Sequence, residues 1–238
     1  MKKLLSLAAV ALFTLTATAQ NEQIEASGKT ITDKREVANF EKLSVSGPFD
    51  IILTNATPGT IQVEGSDNIT GLITTEVVDG TLEIAVKKGN RFKASRYNKI
   101  TIRVPFTLLN EINFNGSGSI KSEKKITTAI KVKLNGTGSI LLDISAPKTE
   151  AELIGSGNIT LKGISETFIC VVTGSGSLKA TELQSDTVNA SITGSGSIKL
   201  TSKKTVVGRI HGSGSIAYAG SPKETDLDKT GSGKFITL

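Results

Sequence analysis

Residues 115–121 read NGSGSIK, and the GSGSI within this stretch returns almost unchanged down the rest of the chain. Aligned on the first glycine, the copies are GSGSI at 116, GTGSI at 136, GSGNI at 155, GSGSL at 174, GSGSI at 194 and 212, and GSGKF at 231. The spacing between copies is 18 to 20 residues. Such fixed-period similarity indicates that one structural unit stacks on copies of itself.

Apolar residues around each copy share one parity, which is typical of a strand with one face inward. In the first copy Ile112 and Phe114 precede Gly116, and Ile120 follows it. The residues between them are mostly polar, so the other face of the strand meets water. A repeat of about nineteen residues is too short for a propeller blade and lacks the leucine-rich signature. The sequence therefore predicts an all-β β-solenoid of about ten coils, spaced about 4.8 Å apart.

The glycines of the motif have the same inward parity as the apolar residues. Glycine at such a position either supplies the positive φ of a corner or lets two walls approach where a Cβ would collide. The residues between the two glycines should then form an outward ladder of hydroxyls: Ser117, Thr137, Ser156, Ser175, Ser195, Ser213 and Ser232.

The chain divides into a regular and an irregular part. Residues 111–238 form the regular solenoid, and residues 37–110 carry weaker copies of the pattern around Gly47 and Gly65. We interpret residues 37–110 as irregular coils or a cap continuous with the solenoid, with a separate small β domain as the alternative. Residues 20–36 are expected to be a flexible N-terminal segment. Lys229 takes an inward position in the last repeat, which predicts a polar terminal coil.

The first nineteen residues have the features of a cleaved signal peptide. Lys2 and Lys3 precede an apolar run over residues 4–15, and ATA at 17–19 offers a cleavage site before Gln20. The mature chain should therefore be soluble and exported, to the periplasm, the outer membrane or the cell surface. No later apolar run approaches the roughly 20 residues of a membrane helix.

Charge and cysteine content add little constraint. Removal of Lys2 and Lys3 lowers the formal charge from +6 to +4, a mild excess that favours acidic partners. Cys170 is the only cysteine, so there is no internal disulfide framework and stability must come from packing and backbone pairing.

Three stretches together resemble a known family: VSGPFDIIL at 45–53, ITIRVPFTLLNEINFNGSGSI at 100–120, and the serial GSGSI repeats. They are similar to the family described as putative auto-transporter adhesin, head GIN domain, over roughly residues 40–238. The resemblance implies a right-handed parallel β-helix of the bacterial envelope and an adhesin-like role. It supplies no catalytic residues.

Several chemistries are disfavoured by the motifs. The glycines are not followed by the Gly-Lys-Ser/Thr ending of a phosphate-binding loop, and no βαβ unit surrounds them. The repeats lack the regular carboxylates of calcium-binding β-rolls, although an isolated site near Asp67 stays open. We therefore predict no cofactor and no metal.

No catalytic constellation is visible either. His211 is an isolated histidine at an outward position, and Cys170 has the inward parity of a buried hydrophobe. Glu76, Asp79 and Glu83 are better explained as the edge of a hairpin around VDGTL. The sequence predicts a protein that is not an enzyme, and a carbohydrate-active enzyme on a β-helix remains the alternative.

The most distinctive non-repetitive stretch is the basic loop, KKGNRFKASRYNK at residues 87–99. Cations interleaved with aromatic rings can bind anionic polymers by charge while the rings stack on sugars or bases. A solvated hairpin loop is the competing interpretation. Export favours an acidic glycan, or another envelope protein, over nucleic acid. The candidate ligand-binding residues are Lys87, Lys88, Arg91, Phe92, Lys93, Arg96, Tyr97 and Lys99.

A second candidate surface is apolar. Ile154, Ile169 and Val171 fall on the outward parity, where they either form a docking patch or are covered by the N-terminal region. We predict an adhesin-like binding or scaffold protein of the envelope whose ladders of hydroxyls and lysines face glycans or proteins. A self-assembling structural component is a further alternative, and the oligomeric state is left open.

Overall fold

A computed structural model describes residues 23–92 and 99–238 and shows seventeen strands and one short helix. The irregular part contains β1 (Thr30–Glu36), β2 (Lys42–Ser46), β3 (Phe49–Thr54), β4 (Thr60–Ser66), α1 (Asp67–Thr70), β5 (Ile73–Val78), β6 (Thr81–Val86) and β7 (Ile100–Pro105). The regular part contains β8 (Glu111–Gly116), β9 (Ser119–Ser122), β10 (Ile130–Gly136), β11 (Ser139–Gly155), β12 (Asn158–Gly174), β13 (Ser177–Gly194), β14 (Ser197–Gly212), β15 (Ser215–Ala219), β16 (Glu224–Thr230) and β17 (Lys234–Thr237).

The strands wind into a β-solenoid of about 7 turns of ~19 residues, which confirms the predicted fold class and corrects the expected ten coils. The difference arises in the irregular part, where several strands extend the stack without completing a coil. Two walls run along the solenoid. Wall A joins β5, β6, β2, β8, β10, the second halves of β11 to β14, and β16. Wall B joins β1, β4, β7, β3, β9, the first halves of β11 to β14, β15 and β17.

The repeated glycines stack in a single column, because parallel pairing places each first glycine opposite the next. At Gly174 both anticipated roles of glycine apply. Its φ is +116°, and a Cβ there would lie 2.6 Å from the carbonyl oxygen of Gly155 on the coil below. The hydroxyl residues between the glycines are exposed, as predicted, and the Ser232 hydroxyl donates to Ser213 at 3.0 Å.

The irregular part shares the interior of the solenoid, since one core cluster extends from Phe40 to Ile216. Gly47 joins the stack beneath the first regular coil, where its N–H donates to Asn115 O at 3.0 Å. The expected second weak repeat at Gly65 is wrong. It lies at the end of β4, which runs antiparallel to β7, and the space for its Cβ is filled by Ile100.

The N-terminal end of the stack is closed by β1 and not by a flexible segment. Residues 30–36 pair antiparallel with β4 along their whole length. The half-buried Arg35 ties β1 to the neighbouring elements, donating to Ile73 O at 2.6 Å, to Thr70 O at 2.8 Å and to Thr75 Oγ1 at 3.2 Å. These bonds satisfy carbonyls at the edge of the stack, where no further strand follows among the described residues.

The C-terminal end is closed differently. Leu227 and Phe235 pack against the last core residues, and β16 and β17 each pair with one strand only within the described residues. Lys229 stands opposite the buried Ile210, at the inward register position expected from the sequence, although the residue is exposed at this end of the stack. Its Nζ donates to Gly233 O at 2.9 Å. An inward charge on an edge strand disfavours pairing with another chain.

Candidate functional site

The first half of the basic loop is a hydrogen-bonded turn on the surface. Lys87, Lys88, Gly89 and Asn90 form a β-turn closed by a bond from Asn90 N to Lys87 O of 3.1 Å. Gly89 has a φ of +85°, the conformation that a type II turn requires at its third residue. Lys88 therefore occupies the tip of the turn and projects into solvent.

Both ends of this turn are fixed to the body of the protein. Lys87 N donates to Leu72 O at 2.7 Å, and Arg91 O accepts from Ile24 N at 2.9 Å. Within the described part of the chain, the exposed side chains of Lys87, Lys88 and Arg91 form no ion pair. The turn thus holds three exposed cations that have no ion-pair partner among residues 23–92 and 99–238, on a backbone bonded at both ends.

Phe92 does not have the role expected of it. Its side chain is 8% exposed and packs against Phe49, with the ring centroids 6.4 Å apart. An aromatic ring buried in the core cannot stack on a sugar, so Phe92 anchors the loop and is removed from the list of ligand-binding candidates. The sequence alone does not reveal this burial, because it depends on the loop passing next to β3, which carries Phe49. Lys93, Arg96 and Tyr97 lie outside the described residues.

Lys99 closes the loop beside wall B. Its Nζ lies 3.2 Å from Asp50 Oδ2, and the other carboxylate oxygen of Asp50 accepts from the Ser119 hydroxyl at 2.6 Å. This candidate cation is therefore partly neutralised. The contact also places the end of the basic loop at the start of an outward row of hydroxyls on wall B.

The carboxylate of Asp67 is occupied by contacts with neighbouring residues. It accepts from the Ser27 hydroxyl at 2.5 Å, and this bond is the main reason that the pKa of Asp67 lies below its usual value. Lys29 lies 3.8 Å from its second oxygen. No group of three or more His, Cys, Asp or Glu side chains among residues 23–92 and 99–238 is arranged to hold a metal ion.

The remaining polar candidates occupy structural positions. Glu76 and Glu83 face each other across the β5–β6 hairpin, and Asp79 forms its turn with a φ of 48°. His211 is exposed on β14. Cys170 is fully buried, and this burial raises the pKa of its thiol far above the ordinary value. The hairpin and the buried cysteine are as predicted.

The apolar trio on wall A is half-buried. Ile169 and Val171 stand opposite Glu150 and Glu152 of the neighbouring coil, and Ile154 stands opposite Thr173. Residues 30–36 pair with β4 at the end of the stack, so this part of the N-terminal region does not cover the trio. The docking interpretation stays a prediction.

One groove was not expected from the sequence. A cavity of about 410 Å³ lies where four connections meet, at residues 38–42, 58–59, 79–80 and 106–108. Phe40 and Phe106 line it but are almost fully buried, whereas Ala38, Pro58 and Leu108 in the lining are exposed. These connections are distant in the sequence and become neighbours only in the fold, because they adjoin strands that lie side by side in the stack.

No helix among the described residues could cross a membrane, since α1 spans only four residues. The class of protein that these observations define is a β-solenoid with a glycine column inside and small hydroxyls and cations outside.

The chain belongs to the family described as putative auto-transporter adhesin, head GIN domain, whose model matches residues 39–222. This confirms the resemblance noted in the sequence. None of the curated proteins matches the chain.

Solved structures share the fold. A putative adhesin from Bacteroides fragilis has a TM-score of 0.83 at 30% identity, and the match covers 90% of this chain and all of that one. A putative lipid binding protein from Parabacteroides distasonis has a TM-score of 0.73 at 24% identity, covering 91% of this chain and 100% of that chain. A putative adhesin from Parabacteroides merdae has a TM-score of 0.69 at 19% identity, covering 91% and 99%. The protein is accordingly adhesin-like in family and fold.

Proposed function

We propose that this chain is a non-catalytic binding protein, exported to the bacterial envelope, that contacts anionic glycans through its basic loop. The observation that carries the proposal is the set of three exposed cations at Lys87, Lys88 and Arg91, on a turn bonded to the body of the protein at both ends. Membership of an adhesin family supports a binding role, and the predicted signal peptide supports export.

An anchored turn is suited to glycan binding because its backbone is already fixed by folding. Binding therefore costs little further backbone entropy. Exposed cations also attract a polyanion over distances of about 8 Å at physiological salt. Carboxylate, sulfate or phosphate groups along a glycan would each meet one of the cations. Sugar hydroxyls would find partners in Asn90, whose side-chain amide bonds weakly to Lys87 O and Lys88 O at 3.3 and 3.4 Å.

We assign no catalytic activity because the residues that could perform chemistry lie on exposed strands and not in a cleft. Glu76 and Glu83 lie on the exposed side of a hairpin, and His211 stands on an open strand. Glycoside hydrolysis requires two carboxyl groups on either side of a bound sugar, in a cleft that holds it.

The test compares the mature protein with a variant in which Lys87, Lys88 and Arg91 are each replaced by Gln. Binding to an array of neutral and anionic glycans is measured, followed by titration of the best anionic ligand. Since an exposed ion pair contributes about 0.2–1 kcal/mol, loss of three should weaken binding about tenfold. The control replaces Lys42, Lys131 and Lys203 by Gln, which removes equal charge from other exposed positions.

Equal losses in both variants would show that only net charge matters and would reject the loop as a site. Absence of any glycan ligand at high micromolar concentration would reject the proposed function itself. Release of reducing ends from a bound glycan would reject the non-catalytic assignment and favour the enzyme alternative.

A further inference from the structure

Wall B carries two outward columns of side chains that run the length of the solenoid. The hydroxyl column consists, in register, of Asp50, Ser119, Ser139, Asn158, Ser177, Ser197, Ser215 and Lys234. The outer column consists, in register, of Arg103, Ile52, Lys121, Leu141, Thr160, Lys179, Lys199, Ala217 and Ile236. Two of its members, Ile52 and Ala217, are buried. The exposed hydroxyl ladder of the Gly-Ser-Gly corners lies directly beside them.

Four lysines in these columns are exposed and form no ion pair in the described part of the chain: Lys121, Lys179, Lys199 and Lys234. Elsewhere on the solenoid some cations are paired across adjacent coils, and others, such as Lys131 and Lys203, also form no ion pair in the described part of the chain. Lys133 lies 3.1 Å from Glu152, and Arg209 lies 2.5 Å from Asp226. The four lysines of wall B therefore differ from the other unpaired cations in their alignment in two adjacent columns.

Lys179 and Lys199 are the clearest case. They stand directly opposite each other on adjacent coils, so their backbones are about 4.8 Å apart. Like charges in this arrangement repel and destabilise the pairing of the strands. A bound anion between the two ammonium groups would convert this repulsion into attraction.

In the described part of the chain, no carboxylate of wall B forms an ion pair with these lysines. Asp50 is paired with Lys99 at 3.2 Å. Asp143 lies 3.8 Å from both Lys125 and Lys162. Glu182 stands in register with Lys162, around the irregularity in β13. The last four coils of the two columns thus present lysine and serine without a carboxylate among their own members.

Neutral groups beside the lysines suit a sugar. The Ser197 hydroxyl donates to Ser177 at 3.1 Å, which leaves the lone pairs of Ser197 and the proton of Ser177 for a ligand. The columns also meet the basic loop, because Lys99 pairs with Asp50 at their N-terminal end. From β7 to β17 the wall crosses eight strand spacings, or about 38 Å.

We propose that the two columns form a track for a linear anionic polysaccharide, which lies along the solenoid axis from the basic loop to the last coil. The inference rests on the proposed function and deepens it, since it specifies a polymer, its direction and a second set of contacts. The polymer places acidic groups at Lys121, Lys179, Lys199 and Lys234 and sugar hydroxyls against the serines.

A polymer fits the wall better than an anionic membrane does. Binding at a bilayer surface uses a continuous apolar face that enters the lipid boundary. On the track the exposed apolar side chains are Leu141 and Ile236, which are 45% and 44% exposed and stand several coils apart. Single apolar residues of this kind can instead contact the apolar face of a sugar ring.

The experiment uses oligogalacturonates of increasing length, their methyl-esterified neutral counterparts, and vesicles containing an anionic phospholipid. Three proteins are titrated: the mature chain, Lys179→Gln/Lys199→Gln, and the matched control Lys131→Gln/Lys203→Gln. We expect affinity of the mature chain to rise with oligomer length and to fall with salt. The track variant should lose about five- to tenfold for long oligomers and little for trimers, while the control variant stays near the mature chain.

The outcomes separate the two proposals. If long oligomers bind the mature chain and the track variant equally, the track is rejected and the basic loop remains as the site. If affinity does not depend on length, the track is also rejected. If no anionic oligomer binds the mature chain, both proposals fail together. Binding to vesicles without binding to oligomers would replace the polysaccharide by a lipid surface and overturn the track.

Discussion

The regular part, residues 111–238, and the irregular part, residues 23–92 and 99–110, share one core but are held together by different contacts. In the regular part each coil rests on a nearly identical coil, and glycine permits backbone to approach backbone at every corner. In the irregular part antiparallel strands, a four-residue helix and the Arg35 hydrogen bonds end the stack. Repeated glycine contacts therefore hold the coils on one another, whereas the end of the stack is closed by non-repeated side chains such as Arg35.

The comparison predicts that glycine substitutions differ most between the two parts. Gly174→Ala places a Cβ against the Gly155 carbonyl and keeps a φ of +116°, so overpacking adds to backbone strain and should cost about 3–5 kcal/mol. Gly59→Ala in the irregular part has a φ of +103° but nothing within 4 Å of the new Cβ, and should cost about 1–2 kcal/mol. Urea unfolding of both variants measures the difference.

Ser175→Ala, an exposed substitution beside Gly174, serves as the control and should change stability by less than about 0.5 kcal/mol. Similar losses for the two glycine variants would contradict the idea that close backbone approach is confined to the corners of the regular part.

The sealed interior of the regular coils predicts a pH dependence. Cys170 lies between Ala151 and Ala190 of adjacent coils, and burial raises the pKa of its thiol. The unfolded thiol ionises near its ordinary pKa, so the stabilising effect is complete below that pH and is lost as pH rises above it. Between pH 9 and 11 the chain should lose about 2–3 kcal/mol more than Cys170→Ala does.

Urea unfolding at several pH values compares the two proteins, and the variant corrects for titration of the lysines. Parallel stability curves above pH 9 would mean that the thiol is not sealed. The folded protein should also resist thiol reagents until denaturant is added, because only the thiolate reacts.

The end of the irregular part should depend on a single side chain. Arg35→Met removes the bonds to Ile73 O, Thr70 O and Thr75 while retaining much of the apolar stem. We expect a loss of about 2 kcal/mol, since hydrogen bonds from a charged donor to half-buried carbonyls are involved. Hydrogen exchange should show lost protection in β1, β4 and β5 while β11 to β13 stay protected.

Lys34→Met is the matched control, because Lys34 lies next in the same strand with its side chain exposed. If Arg35→Met lowered protection in β11 to β13 as well, the cap would be an integral part of the solenoid's stability and not a local closure.

The smallest effect is expected at the other end. Lys229→Leu removes the inward charge from the last coil and exposes an apolar edge, so two molecules should associate end to end with little change in unfolding. Sedimentation velocity at increasing concentration measures this, with Lys203→Leu as a control of equal hydrophobicity away from the edge. A variant that stayed monomeric would show that other features protect this edge.

Much of the fold could be predicted because the regular coils are local and repetitive. The alternation of Ile112, Phe114 and Ile120 around Gly116 specifies which residues face inward, because successive side chains of a strand point to opposite faces. The burial of Cys170 and the polar residue at position 229 follow from the same alternation, and the Asp-Gly pair at 79–80 predicted the hairpin turn. The predicted weak repeat at Gly65 was wrong, because the alternation of apolar residues does not reveal whether a strand runs parallel or antiparallel to its neighbours.

The candidate site was predicted less completely. The density of cations in residues 87–99 is visible in the sequence, but the burial of Phe92 depends on the position of Phe49, which is more than forty residues away. The groove at Phe40 and Leu108 likewise combines four connections that are distant in the chain.

By itself, the sequence determined the coil, its period, its inward and outward faces and its family, since each depends on contacts between a residue and its equivalent one repeat away. Only the tertiary structure decided how the ends are closed and which lysines lack a partner. Those features depend on which strands become neighbours across long insertions, and a local pattern does not encode that choice. Ion pairing in the regular coils depends on the register of adjacent strands, since Lys133 stands opposite Glu152 and pairs with it, whereas Lys179 stands opposite Lys199.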